Sequence, residues 1–366
     1  MNKKQILKKA SAFSVSLALL FAMSCKSEDK NKGTTQKLGI IYLWQSQMCA
    51  RNNPFPNGGS VTSAVNVSPS PASGSDYNYG YLNAGGADYV IHKKTIQKIS
   101  STGALSDFAG STSSTASTDG TGTSAGFVSI TSWAADSAGN IFVIDTISLS
   151  TSLALRKITP AGVVTTPVTY TASGLNRISV YVAIDSSDNI YIYTRNANTD
   201  AVTIQKATTS ALSFSAYYSS SDPTFYYSSS YGNTMFADKK GNLYIMTSSG
   251  LQILNSSLQL AKASFASSFG SSTSLQFDSS GNAYFNGSVG NDRGIVKADS
   301  SGNTTMLLRG TSAIGMACNT PGYGAYGINL KSTGEIQGYG NMAGSYYGLN
   351  AAVDYTKYYL FTYKQP

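Results

Sequence analysis

The side chains best suited to chemistry are few and scattered. The one histidine, His92, stands in Tyr89-Val90-Ile91-His92-Lys93-Lys94, at a strand end entering a turn. Without a second imidazole it builds neither a zinc cluster nor a Ser-His-Asp relay with any redundancy, so it is expected to be an exposed hairpin residue. The two glutamates are Glu28 and Glu335. Aspartates recur, but none has the Asp-x-Asp-x-Asp-Gly spacing that surrounds a calcium ion with oxygens; Asp185 with Asp188 comes nearest. The expectation is no catalytic residue, no metal and no cofactor, with the aspartates capping turns.

Those aspartates share a repeated frame. Asp136-Ser137-Ala138-Gly139-Asn140-Ile141-Phe142-Val143 recurs as Asp185-Ser186-Ser187-Asp188-Asn189-Ile190-Tyr191-Ile192. It recurs again as Asp238-Lys239-Lys240-Gly241-Asn242-Leu243-Tyr244-Ile245 and as Asp278-Ser279-Ser280-Gly281-Asn282-Ala283-Tyr284-Phe285. The aspartates are 49, 53 and 40 residues apart, and a degenerate fifth copy runs from Leu330 to Ile336 with Lys331 at the Asp position. Periods of this length mark repeat architectures. Each copy reads as a hairpin in which the carboxylate accepts backbone N–H bonds and Gly or Asn takes the positive-φ position. A second hairpin follows, as in Leu155-Arg156-Lys157-Ile158-Thr159-Pro160-Ala161-Gly162 and Ile295-Val296-Lys297-Ala298-Asp299-Ser300-Ser301-Gly302.

The elements that must carry these turns are strands. Of 366 residues 41% are hydrophobic and only 12% charged, and 35 are Gly, which leaves material for a core and many turns but few helix formers. Apolar runs of four to seven residues bounded by Gly, Asn, Asp and Ser show no sustained helical period after residue 24. The fold class is all-β, and two hairpins per repeat make a four-stranded blade of a β-propeller. Blades beginning near Asp76, Asp119, Ile178, Gly232, Ser271 and Gly322 make six, with five or seven as alternatives.

The stretch Asp119-Gly120-Thr121-Gly122-Thr123-Ser124-Ala125-Gly126-Phe127, then Ala134 to Asp145, then Leu155 to Gly162 resembles the NHL-repeat propellers. The other repeats keep the Asp-x-x-Gly-Asn turn and the strand after it. The resemblance implies a recognition platform, and some six-bladed relatives are metal-dependent lyases or lactonases. An enzyme of that type would want Glu, Asn and Asp converging on the central channel.

The N-terminus carries an address. Lys3, Lys4, Lys8 and Lys9 precede an apolar stretch from Ala12 to Met23, too short to be a permanent span. Ala22-Met23-Ser24-Cys25 resembles the lipobox of bacterial lipoproteins, which implies a signal peptide over residues 1–24 and acylation, palmitate included, at Cys25. Removing residues 1–24 lowers the formal net charge from +8 to +4, and the remaining Lys are scattered, which argues against nucleic acid as a partner. Residues 25–36 read as a tether between membrane and domain, and Lys26 after the lipidated Cys favours the outer over the inner membrane. Residues 37–75 hold a strand, Leu38 to Trp44, and a Pro/Ser/Gly-rich linker; the propeller spans 76–366. Within that linker Gly58 is expected to be conformationally indifferent. Cys49 and Cys318 are a candidate disulfide that would staple the Leu38–Trp44 strand to the last blade.

Tyrosine supplies the candidate surface. Tyr217, Tyr218, Phe225, Tyr226, Tyr227 and Tyr231 lie in a Ser-rich stretch between repeats, a composition suited to adaptable binding. Half of them are equally well read as strand residues facing neighbouring blades. The expectation is a lipid-anchored cell-envelope propeller acting as a non-catalytic binding or scaffold module for protein or glycan; the alternative is a lactonase- or lyase-type envelope enzyme.

Overall fold

Side chains that are apolar on both faces of a strand require a neighbour on each side, and this chain supplies such strands as the inner members of sets of four, each closed by a more exposed outer strand. In the computed structural model the described residues are 56–68, 80–148, 152–171, 178–196, 198–222, 225, 235–269, 274–290, 292–309, 322–345, 352–353 and 358–366. Residues 1–36 with Cys25, the Leu38–Trp44 segment, Cys49, Cys318, Tyr226, Tyr227 and Tyr231 lie outside them.

The first strand, β1 (Ser60–Val67), is used last in the architecture. Blade one is β2 (Gly80–Ala84), β3 (Ala87–Ile91), β4 (Thr95–Ile99) and β5 (Leu105–Gly110). Blade two is β7 (Ile130–Ala135), β8 (Ile141–Ser148), β9 (Ser152–Ile158) and β10 (Val163–Thr171), with the short β6 (Gly120–Thr121) added outside β10. Blade three is β11 (Ile178–Ile184), β12 (Asn189–Asn196), β13 (Val202–Thr208) and β14 (Ser215–Ser220). Blade four is β15 (Met235–Ala237), β16 (Leu243–Thr247), β17 (Gly250–Leu254) and β18 (Leu260–Lys262); blade five is β19 (Leu275–Phe277), β20 (Ala283–Val289), β21 (Asp292–Ala298) and β22 (Thr304–Arg309). Blade six joins β23 (Gly322–Leu330) and β24 (Ile336–Ser345) to β26 (Tyr358–Lys364) and then to β1, with β25 (Ala352–Val353) as a spur on β24. All four-strand ladders are antiparallel, and the result is a six-bladed β-propeller.

Six apolar clusters hold the ring, one between each pair of neighbouring blades. Ile91, Trp133, Ile141 and Val143 join blades one and two, and Phe142, Leu155, Val182 and Ile192 join two and three. Tyr191, Ile204, Leu243 and Ile245 join three and four; Tyr244, Phe265, Phe277 and Phe285 join four and five. Tyr284, Ile295, Ile336 and Phe361 join five and six, and Val67, Tyr81, Ile99 and Tyr339 join six back to one. Ile141, Phe142, Val143 and Ile144 are buried in succession because β8 has a blade on each face, which erases the alternation of a one-sided sheet.

The ring closes with a strand from the stretch whose composition predicts a linker. β1 pairs with β26 from Ser60 opposite Lys364 to Val67 opposite Tyr358, so the propeller takes in residues well ahead of position 76. Ser68 then exchanges backbone hydrogen bonds with the β4–β5 turn of blade one, accepting from Leu105 and donating to Gly103. Gly58 is likewise no indifferent linker residue: it has φ +84°, a Cβ there would lie 3.2 Å from Pro366, and its carbonyl accepts the Tyr363 hydroxyl at 2.9 Å.

Each repeat turn is built by its aspartate. Asp136 Oδ1 accepts the Asn140 N–H at 2.8 Å and Oδ2 accepts Asn140 Nδ2 at 2.8 Å, while Gly139 takes φ +80°. Asp185 with Asn189, Asp238 with Asn242 and Asp278 with Asn282 repeat the arrangement. Asp299 with Asn303 repeats it in the second hairpin of blade five. Gly241 has φ +77°, and the nearest atom to a Cβ there is the Tyr191 hydroxyl at 3.7 Å, so a larger residue meets backbone strain rather than a clash. Gly241→Val should therefore cost about 1–3 kcal/mol in denaturant titration, and an unchanged midpoint would show that the turn relaxes at no cost.

A candidate binding site at the channel mouth

The first strand of every blade lies at the centre of the ring, and the turns that follow these strands crowd one end of the channel. A cavity of about 420 Å³ opens there, lined from β2, β7, β11, β15, β19 and β23. Three of its aspartates, Asp136, Asp185 and Asp238, are more than nine-tenths buried, yet each carboxylate is engaged by the backbone and Asn side chain of its own turn. Asp185 also accepts the Tyr191 hydroxyl at 3.0 Å. Asp188 takes the positive-φ position that Gly holds in the other copies, at φ 57°, and its Oδ1 accepts the Ser137 N–H of blade two at 2.8 Å. The pair nearest to a calcium pattern is thus a turn cap and an inter-blade clamp. Burial works to raise the Asp278 carboxyl, but hydrogen bonds from Asn282, Tyr284 and Ser280 outweigh it and hold the group below its ordinary value. Asp299, held by the Asn303 side chain and backbone, is also lowered. Such groups serve as anionic acceptors in their turns.

Among the described residues no group of three or more His, Cys, Asp or Glu is placed to hold a metal ion. His92 is half-buried rather than exposed, with Nε2 3.0 Å from Gln97 Oε1, because the β3–β4 turn folds its ring back onto the sheet. Glu335 sits in the β23–β24 turn, away from the cavity lining.

What the repeat frame concealed is the position two residues before the turn aspartate. It holds Ala134, Ala183 and Phe236 in blades two to four, but Gln276 in blade five and Asn329, two before Lys331, in blade six; Asn83 is the counterpart in blade one. These three carboxamides are half-buried and line the cavity on consecutive blades. Among the described residues the Gln276 and Asn329 side chains make no hydrogen bond, while Asn83 Nδ2 donates to Asp88 Oδ1 at 2.8 Å. Aligning the repeats shows Gln276 and, through the Lys331 copy, Asn329; Asn83 follows no aspartate frame, its turn being Gly85-Gly86, and joins them only through the strand pairing of the closed ring.

The tyrosine stretch is packed more than displayed. Phe225 is 1% exposed and packs against Tyr218 at 6.0 Å between ring centres, in the apolar cluster between blades three and four and not on a surface. Tyr217 is the extra residue of a bulge between β13 and β14 and lays its ring edge-on to Tyr191 at 5.3 Å. Tyr217 and Tyr218 are half-buried on the edge strand β14, where Leu258 of blade four, 40% exposed at φ 61°, stands beside them.

A ring of six four-stranded blades with a cavity at one end of its channel defines the class, a six-bladed β-propeller. Over 83% of its length the chain is similar to virginiamycin B lyase from Staphylococcus aureus, covering 99% of that chain at 12% identity and a TM-score of 0.46. Over 84% it is similar to a DUF4623 family protein from Bacteroides eggerthii, covering 76% of that chain at 11% identity and a TM-score of 0.46. Over 81% it is similar to TolB from Acinetobacter baumannii, covering 66% of that chain at 8% identity and a TM-score of 0.39. No protein-family model matches the chain, and no curated protein does. The blade count above rests on this chain's own strand pairing, and what those proteins bind or convert is theirs.

Proposed function

We propose that this chain is a lipid-anchored propeller of the bacterial cell envelope, NHL-like in its repeats, that binds a protein or glycan ligand at the channel mouth without transforming it. The observation that carries the reading is the division of labour in the cavity. Its buried carboxylates are committed to turns, whereas amide side chains on neighbouring blades stand unpaired in an open pocket of a size suited to a ligand. The anchor rests on the lipobox-like Ala22-Met23-Ser24-Cys25, and outer-membrane residence on Lys26 after it. Two or more acyl chains on Cys25 would hold the protein firmly to a bilayer.

One experiment addresses both parts. The parent, Cys25→Ala and Ser186→Trp chains are cross-linked in intact envelopes and then partitioned between detergent and aqueous phases. Cys25→Ala should move to the aqueous phase, and Ser186→Trp, which places a large ring at an exposed cavity-lining position, should stay anchored but lose the parent's cross-linked partner. Unchanged partitioning would defeat the anchor, and an undiminished partner would move binding away from the channel.

A further inference from the structure

The cavity has two unlike halves, and that asymmetry specifies a ligand more closely than the fold does. At one level of the channel, blades five, six and one present Gln276, Asn329 and Asn83, while blades two, three and four present Ala134, Ala183 and Phe236. One arc at this level is therefore carboxamide, and the facing arc carries no polar side chain at this level; Ala183 and Phe236, 3% and 7% exposed, back it from the inter-blade clusters. The Ser274 hydroxyl, which donates to the Ile328 carbonyl at 2.8 Å, ties β19 to β23 directly beside Gln276 and Asn329, so the two amides sit on strands fixed to one another.

Each carboxamide offers two N–H donors and an acceptor oxygen. Asn83 spends a donor on Asp88, a carboxylate that also accepts the Tyr81 hydroxyl at 2.7 Å and Gln337 Nε2 at 3.1 Å, and this leaves the Asn83 carbonyl oxygen without a partner. With Gln276 and Asn329 also without a partner among the described residues, the arc holds donors and acceptors open to solvent or a ligand. Formal charge lies away from the amides: Asp136, Asp185 and Asp238 are spent on turns and Asp188 on Ser137, and Lys239, the cation of the lining, is an exposed residue of the β15–β16 turn of blade four, outside the arc of blades five, six and one. The complement of such a site is neutral, with hydroxyls that both donate and accept along one edge and an apolar C–H face on the other. A pyranose ring has that anatomy.

We propose that the channel cavity binds a neutral pyranose unit, its hydroxyls on Gln276, Asn329 and the Asn83 oxygen and its apolar face on the Ala134, Ala183 and Phe236 side. The inference rests on the binding-module reading above and deepens it by naming the ligand's chemistry. The unit is either a free sugar or the end of a glycan chain, since both present the same ring.

The test is calorimetric titration of the full chain in detergent with neutral hexoses, N-acetylhexosamines and their tetrasaccharides, and with a blocked neutral peptide. At least one sugar should bind saturably, and Gln276→Leu and Asn329→Leu should each weaken it about tenfold, the scale of one or two net hydrogen bonds. The double variant should not bind. Both Leu variants should melt no lower than the parent, because they remove amides that have no protein partner; a titration with folded variants thus stays interpretable. Equal affinity for mono- and tetrasaccharide assigns a free sugar, and affinity rising with length assigns a chain end. No binding by any sugar, or binding untouched in the double variant, overturns the proposal. If sugars fail while Ser186→Trp still loses its cross-linked partner, the sugar falls and the binding module stands.

Discussion

Arg156→Met should destabilise the protein by about 3–5 kcal/mol, because it strands a buried carboxylate. Arg156 and Asp145 are both fully buried in blade two, with Nη1 3.2 Å from Asp145 Oδ2. The same guanidinium donates to the Gly126 carbonyl at 3.1 Å, the Thr118 carbonyl at 2.8 Å and Asp119 Oδ1 at 3.0 Å, and lies 5.2 Å from the centre of the Phe127 ring. Asp145 in turn accepts the Val128 and Ser129 N–H groups through Oδ1 at 2.9 and 2.8 Å. The pair thus pins residues 117–129, including β6 and the turn around Gly122, across the outside of the blade. Methionine keeps most of the volume but removes every guanidinium donor, and leaves the buried Asp145 carboxylate with the Val128 and Ser129 N–H bonds on Oδ1 and no counter-charge at Oδ2. The half-exposed contact with Asp119 adds little, since solvent screens it. Urea titration checks the loss. Arg156→Met with Asp145→Asn should recover part of it, and a single-variant loss under about 1 kcal/mol would show that the network is decorative.

How far this architecture was legible follows from where each interaction lies along the chain. The aspartate turns are local, with five consecutive residues holding donor, acceptor and the positive-φ position, so Asp136 to Asn140 and its copies announced themselves. Cross-strand pairs were half legible. Phe142 faces Lys157, Tyr191 faces Lys206 and Tyr284 faces Lys297, each ammonium 5.2–5.6 Å from the ring centre, a pairing implicit in the repeat but invisible until the hairpins had a register. The amide arc was not legible, because it depends on which blades become neighbours: Asn329 and Asn83 are brought together only by closure of the ring. Phe225 misled for a related reason, since a Ser-rich context looks like surface while a single aromatic within it fills an inter-blade gap. The closing strand hid best. Ser-Val-Thr-Ser-Ala-Val-Asn-Val carries no turn motif, belongs to no repeat, and has its alternation broken by a bulge between Val61 and Ser63.

That hidden strand carries the second large effect: Val67→Asp should lower the melting temperature by about 6–20 °C. Val67 is 1% exposed and packs among Tyr81, Val90, Ile99, Tyr339 and Leu360, where blade six meets blade one. An ionised carboxylate has no partner in that cluster. The chain therefore either holds it protonated or opens the seam by releasing β1, and the cheaper route bounds the loss at about 3–5 kcal/mol, the scale of a buried group left unpaired. For a domain of this size each kcal/mol moves the midpoint by about 2–4 °C. Burial raises the introduced carboxyl's pKa in the folded state above its unfolded value of about 3.9, so the folded state binds the extra proton. The deficit relative to the parent should accordingly shrink as pH falls toward 4 and be full near neutrality. Releasing β1 also strips β26, leaving Tyr358-Tyr359-Leu360-Phe361-Thr362-Tyr363-Lys364 as an unpaired apolar edge, so the variant should self-associate with rising concentration. Val163→Asp, at a 38%-exposed position on β10, should stay within about 0.5 kcal/mol and separates charge from seam. A Val67→Asp melting point equal to that of Val163→Asp, independent of pH, would mean that β1 contributes nothing to closure and that the ring is held by its other five interfaces alone.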